Sequence, residues 1–198
     1  MKKTTSHNRF VITGGPGAGK TTVLRELETR GFHTVPEVAR QLIQEQVRDG
    51  GAALPWADRA LFTRRMLERS IQSYQEHTPS LIPIFFDRGI PDTLGYARLI
   101  GLRDDQFIRS ACDQYRYESM VFLAPAWKEI YETDSERKQD FAEAVRTCAL
   151  LGQIYLECGY EVLEIPRTPA QERAEFIVKH VQKATAMRSR DLTVRSRA

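Results

Sequence analysis

Phe10-Val11-Ile12-Thr13-Gly14-Gly15-Pro16-Gly17-Ala18-Gly19-Lys20-Thr21-Thr22 is the stretch on which the reading of this chain turns. From Gly14 to Thr21 it matches the phosphate-binding pattern G-x-x-x-x-G-K-[ST]. The apolar run Phe10–Ile12 before it reads as a buried strand. The run Thr22-Val23-Leu24-Arg25-Glu26-Leu27-Glu28 after it reads as a helix, so the pattern sits in the strand–loop–helix setting that the chemistry requires. Glycines let the backbone curl until successive N–H groups point at one anion, and the new helix adds its unpaired N–H groups and its dipole. The expected phosphate cradle is Gly14, Gly15, Pro16, Gly17, Ala18, Gly19, Lys20, Thr21 and Thr22. Within it Lys20 reaches the outer phosphates, and the Thr21 hydroxyl ligates Mg²⁺.

Working outward, strands alternate with helices. A helix is expected from Lys20 to Arg30, a short strand over Phe32–Val35, and a helix from Pro36 that stops at Asp49-Gly50-Gly51. A long charged helix over 57–76 leads to a strand over Leu81–Phe86, with Pro83 placed at its start because proline cannot serve a central ladder. Helical patterns over 92–100 and 104–118 flank Gly101. A strand over Met120–Leu123 precedes a loop to Asp134 and an amphipathic helix over Ser135–Cys158. The last strand covers Glu161–Ile165, the last helix Pro169–Ala184, and a loose tail follows from Met187. This alternation predicts an α/β fold with a mostly parallel sheet covered on both faces, its site at the carboxyl ends of the strands. One domain over 9–185 is expected, with a flexible N-terminus over 1–8, a lid region near 125–139, and a basic tail over 186–198.

The bulk numbers exclude several classes. The 198 residues are 41% apolar and 28% charged, ordinary values for a soluble domain, and no run is long enough to cross a membrane. Residues 1–9 are basic with no apolar segment behind them, as expected of a chain with no signal peptide. The net charge of +3 is carried by the two ends and leaves the middle acidic, so a nucleic-acid groove is not expected. Cys112, Cys148 and Cys158 lack metal spacing and read as small buried hydrophobes of a reducing cytoplasm. The four histidines are scattered, and none is expected to be catalytic.

Other polar residues fall where strands end. Asp87 follows Ile84-Phe85-Phe86 and can hold Mg²⁺ through water beside Thr21; the alternatives are a helix cap or a salt bridge to Arg88. Glu37 can orient an acceptor hydroxyl and take its proton, or can be a first-turn helix acid. Arg40 lies one turn on and can face the same pocket. Arg88 can clamp an acceptor phosphate or hydroxyl; Arg64 and Arg65 are further candidates from the long helix. Lys128 and Arg137, in the polar segment after the fourth strand, can reach the transferring phosphate from a lid. Arg167 with Thr168 follows the fifth strand.

Together Gly14–Thr22, Pro36-Glu37-x-Ala39-Arg40, Leu54-Pro55-Trp56 and Phe86-Asp87-Arg88-Gly89-Ile90-Pro91-Asp92 make a recognisable set, with Trp127-x-x-Ile130-Tyr131-x-x-Asp134-x-x-Arg137 and Gly159-Tyr160. The set resembles the AAA-type predicted ATPase family that is grouped with the ribosylnicotinamide kinase domain of NadR. The likeness covers about residues 9 to 182. It implies a nucleotide-kinase-like P-loop fold with a five-stranded parallel sheet in the order 2-3-1-4-5. It also implies an Asp-Arg pair at Asp87-Arg88, a lid arginine at Arg137, and Arg167–Thr168 near the adenine. Some eukaryotic members resemble GTP- and lipid-binding trafficking proteins. The chain departs from hexameric AAA machines in lacking paired acids after the third strand, and it lacks the Asn-Lys-x-Asp motif of switch GTPases. The expectation is therefore ATP with Mg²⁺ and a kinase acting on a nucleoside-like or other small acceptor. A regulatory NTPase with a protein or lipid partner is the alternative. Membrane insertion is not expected, and a homodimer is compatible.

Overall fold

The computed structural model describes residues 8–78, 82–102, 106–131 and 140–195. In chain order the elements are β1 (Arg9–Gly14), α1 (Lys20–Thr29), β2 (His33–Val35), α2 (Val38–Asp49), α3 (Arg59–Glu76), β3 (Ile84–Asp87) and α4 (Ile90–Leu99). There follow α5 (Gln106–Gln114), β4 (Met120–Ala124), a 3₁₀ turn (Lys128–Ile130), α6 (Phe141–Glu157), β5 (Glu161–Glu164) and α7 (Ala170–Arg195). All five strands pair in parallel in the order β2-β3-β1-β4-β5, which is the expected order.

The three central strands are apolar on both faces, as a doubly covered parallel sheet demands. Phe10, Phe85 and Phe122 face α1 and α7, where Val23, Leu27, Ile177 and Val181 meet them. Val11, Phe86 and Val121 face the other layer, packed with Leu67, Leu94, Ile108 and Tyr155. Each fully buried phenylalanine contributes roughly 1.5–3 kcal/mol by leaving water. A third, smaller cluster joins Leu42 of α2 to Phe62 and Met66 of α3, with Ala39, Ile43 and Tyr96 packed on it. It stands beyond the carboxyl edge of the sheet and becomes a wall of the site.

Some boundaries differ from expectation. Pro83 lies just outside β3, and the strand continues one residue further, to Asp87. α7 continues to Arg195, where the sequence predicts a loose tail from Met187. The run Ala184-Thr185-Ala186-Met187-Arg188-Ser189-Arg190 holds neither proline nor glycine, so nothing local stops the helix. On α6, Val145 is exposed, while Ala144, Thr147 and Ile154 join the buried face. Cys112 and Cys148 are buried, and Cys158 is half-buried where α6 ends.

Candidate functional site

Two strand ends build the loop. Gly14 has φ +140°, and a Cβ there would lie 2.2 Å from the Ala124 carbonyl oxygen of β4, so only glycine fits. Gly19 has φ +73° and immediately precedes α1. Lys20 is buried, and its Nζ donates to the carbonyls of Gly15 at 3.0 Å and Gly14 at 3.4 Å. Thr21 and Thr22 are exposed at the helix start.

A residue that sequence reasoning passed over braces the loop. Arg173 of α7 is buried, and its Nη2 donates to the Ala18 carbonyl at 2.9 Å. Its Nη1 would be 2.7 Å from a Cβ on Gly19, so this glycine also makes room for the guanidinium. Burial pulls the Arg173 pKa down.

Asp87 pairs in register with Ile12, and Arg88 N donates to the Ile12 carbonyl at 3.0 Å. The β3 carboxylate therefore stands beside the strand that opens the loop. Arg88 adopts φ +71°, a left-handed conformation that costs a non-glycine residue about 1–3 kcal/mol. Its side chain enters a buried network. Nε donates to Glu37 Oε1 at 3.0 Å and Nη1 to Asp92 Oδ1 at 3.0 Å. Burial opposes the Arg88 charge, but the carboxylates of Glu37, Asp92 and Asp87 outweigh it and raise its pKa. Asp92 accepts three more bonds: from Thr13 Oγ1 at 2.6 Å, Gly89 N at 2.9 Å and Tyr155 Oη at 2.6 Å. Burial first, then the Asp92 carboxylate, push the Tyr155 pKa well up, so it remains a donor.

The helix cap considered for Asp87 is made by Asp92, which closes the first turn of α4 onto Gly89. Glu37 occupies the N-cap position of α2, yet its side chain makes no capping bond and turns to Arg88 instead. Asp92→Asn is expected to destabilise the protein by about 3 kcal/mol, because it discharges one partner of a buried ion pair and presents an amide to several donors. Urea unfolding measures this; wild-type stability in the variant would contradict it.

Beyond the network opens a cleft of about 240 Å³. Pro16 of the loop shares its wall with Glu37, Arg88 and Asp92, and the far walls are apolar, including Trp56, Phe62, Met66 and Tyr96. Trp56 is 61% exposed, a large apolar ring held at the rim. Thr147 and Leu151 of α6 complete it.

Arg40 is not among the residues lining the cleft, although its neighbours Ala39 and Ile43 are. Arg64 is not among the residues lining the cleft. Phe62 and Met66, four apart, turn one face of α3 inward, and Arg64 between them faces a separate groove with Leu102, Phe107 and Ile108. Arg65 is exposed and pairs with Glu68 at 3.0 Å. Lys128 is exposed on the 3₁₀ turn, and Arg137 lies outside the described residues. Arg167 stands at the carboxyl end of β5, where Nε donates to the Ala126 carbonyl at 3.3 Å and Nη1 meets Glu164 at 3.3 Å. Among the described residues no three His, Cys, Asp or Glu side chains cluster as a metal site, and no helix is long and apolar enough to cross a membrane.

A family model described as AAA domain matches residues 9–173, from the start of β1 into α7. The chain belongs to this AAA-domain family. No curated protein matches the sequence. Among solved structures, this AAA-domain protein is similar to the NadR protein in complex with NR, at 18% identity and a TM-score of 0.67. That match covers 89% of this chain but 52% of the other, so the chain spans about half the length of NadR. A thymidylate kinase from Candida albicans is similar at 14% identity and a TM-score of 0.61, covering 91% of this chain and 93% of that one. A shikimate kinase from Acinetobacter baumannii in complex with shikimate is similar at 17% identity and a TM-score of 0.55, covering 90% and 95%. The shared property is the fold, a P-loop NTPase with a nucleotide-kinase-like sheet.

Proposed function

We propose that this protein is a small-molecule kinase that transfers the γ-phosphoryl group of ATP to a hydroxyl held in the cleft. One observation carries the reading: Pro16 of the phosphate loop and the Glu37–Arg88–Asp92 network line the same cleft, so a donor on the loop and an acceptor in the cleft would be neighbours. Phosphoryl transfer asks a protein mainly for positioning and electrostatic stabilisation. Gly14 to Thr22 hold the triphosphate, and Lys20 neutralises charge on its outer groups. The acceptor oxygen attacks the γ-phosphorus, the bond to the β–γ bridging oxygen breaks, and ADP leaves with that electron pair. The hydroxyl proton passes to the Glu37 carboxylate, which Arg88 holds in place. From the lid, Arg137 would add positive charge at the transferring group, and Arg167 would stand near the adenine.

Thr21 and Asp87 offer a hydroxyl and a carboxylate, the hard oxygen donors that suit Mg²⁺, and the small number of protein ligands leaves room for phosphate oxygens and water. Bound there, Mg²⁺ would offset charge on the phosphates. The test is a screen of nucleosides and other ring alcohols for ADP release above the acceptor-free rate. A stimulating acceptor and its phosphorylated product are expected. Stimulation by a protein or lipid surface, with no small-molecule product, would overturn the proposal in favour of a regulatory NTPase.

A further inference from the structure

The proposed reaction uses none of the three cysteines, yet the fold brings two of them together. Cys112 sits on α5, and Cys158 is the residue that caps the end of α6. Cys158 packs against the buried cluster that holds Cys112 and Tyr155. One guanidinium nitrogen fastens the two backbones: Arg116 Nη1 donates to the Cys158 carbonyl at 2.8 Å and to the Cys112 carbonyl at 3.4 Å. Arg116 is itself seated on the Tyr160 ring, 3.9 Å from its centroid. The two cysteine side chains hydrogen-bond to each other.

The pair is asymmetric. Cys112 is 1% exposed, whereas Cys158 is half-buried and keeps contact with solvent. Their mutual bond pushes the Cys112 thiol up, with burial adding to it. The same bond holds Cys158 below the ordinary thiol range against burial, and Arg116 and Arg109 assist. The thiolate is the form that oxidants attack, so Cys158 is a reachable sulfur with a second thiol behind it. Cys148 differs: it is buried, and its Sγ donates to the Ala124 carbonyl at 3.6 Å. A cysteine that serves only as a small hydrophobe needs neither access to solvent nor a cation beside its sulfur.

We propose that Cys158 and Cys112 form a reversible oxidation site whose oxidant is hydrogen peroxide. The Cys158 thiolate attacks one peroxide oxygen, the O–O bond breaks, and the other oxygen leaves with the electron pair and is protonated to water. Cys158 is then a sulfenic acid. The Cys112 sulfur gives up its proton and attacks the Cys158 sulfur; the S–O bond breaks, a second water leaves, and the S–S bond forms. Two thiols thereby lose two electrons and two protons, and the peroxide is reduced to water; a dithiol reductant reverses the change. The new bond would tie α5 to the end of α6, the helix whose Thr147 and Leu151 line the cleft.

The test treats the full chain, reduced and then freed of reductant, with hydrogen peroxide under native conditions. Remaining thiols are alkylated in denaturant, and the peptides are mapped by mass spectrometry. A disulfide between Cys112 and Cys158 of the same chain is expected, formed about tenfold or more faster than any oxidation of Cys148, a selectivity set by thiolate character and access. Dithiothreitol should return both free thiols. In Cys112→Ala the disulfide cannot close, and a dimedone probe should label Cys158 as the sulfenic acid. Cys158→Ser, at the less buried position, should leave Cys112 unoxidised. Absence of the Cys112–Cys158 bond in the wild type overturns the proposal, whether the thiols stay free, Cys158 passes to a sulfinic acid with Cys112 unchanged, or the bond joins two copies of the chain. The readout needs no acceptor, so its failure leaves the kinase reading untouched.

Discussion

Lys20→Ala is expected to lower turnover by about 10² to 10³, the loss that follows removal of one preorganised donor from a transition state. It should also weaken Mg-ATP binding measured by calorimetry. Lys20 is the single positive side chain between Gly14 and Thr22, and its ammonium is held against the loop by the carbonyls of Gly14 and Gly15. It begins α1, where alanine is the best helix former, so the fold should persist. The circular-dichroism spectrum is therefore expected to match that of the wild type. A variant with wild-type ATP affinity and turnover would remove the loop from the chemistry, whatever its shape.

Glu37→Gln is expected to lower phosphoryl transfer by roughly 10² or more, the contribution of a positioned general base. Glutamine keeps an oxygen to accept from Arg88 Nε but gives up the charge that takes the proton. ATP affinity should hardly change, because the proposed phosphate site is the loop after β1 and Glu37 lies beyond β2. The split is the useful part: kcat falls while the KM for ATP stays. Steady-state kinetics at saturating ATP, with the acceptor found by screening, measure it. Transfer at the wild-type rate would leave Glu37 as an anchor for Arg88 alone.

The two residues behind these predictions differ in how they can be read. Lys20 and its glycines are legible as a candidate cradle because a phosphate cradle is made by consecutive backbone groups, so its pattern is written in consecutive letters. Asp87 is legible for a related reason, an acid closing an apolar strand of an alternating pattern. Glu37 is visible as an acid at a strand-to-helix junction, but its partner is not, since Arg88 lies 51 residues away and meets it only through the β2–β3 pairing. The strand order itself was implied by family likeness and not by any strand's own residues.

What stayed hidden is what tertiary packing alone assembles. Asp92 looks like an ordinary first-turn acid, yet it collects bonds from Thr13, Arg88, Gly89 and Tyr155, contributed by β1, the β3–α4 turn and α6. Trp56 belongs to the Leu54-Pro55-Trp56 stretch of the family likeness, but nothing in the sequence places its ring at the rim of the cleft. Arg173 looks like any surface charge of a helix that is otherwise well populated with them, and only the approach of α7 to Ala18 buries it. Arg64 shows the converse: composition made it attractive, and the helical phase set by Phe62 and Met66 turned it away.

In the proposed reaction the loop and the cleft form one transfer site. Its most direct test follows the label of [γ-³²P]ATP through turnover in the presence of a stimulating alcohol. The label is expected in an organic phosphate ester of that alcohol, in amounts equal to the extra ADP formed. Label recovered entirely as inorganic phosphate, with the alcohol unchanged, would contradict it.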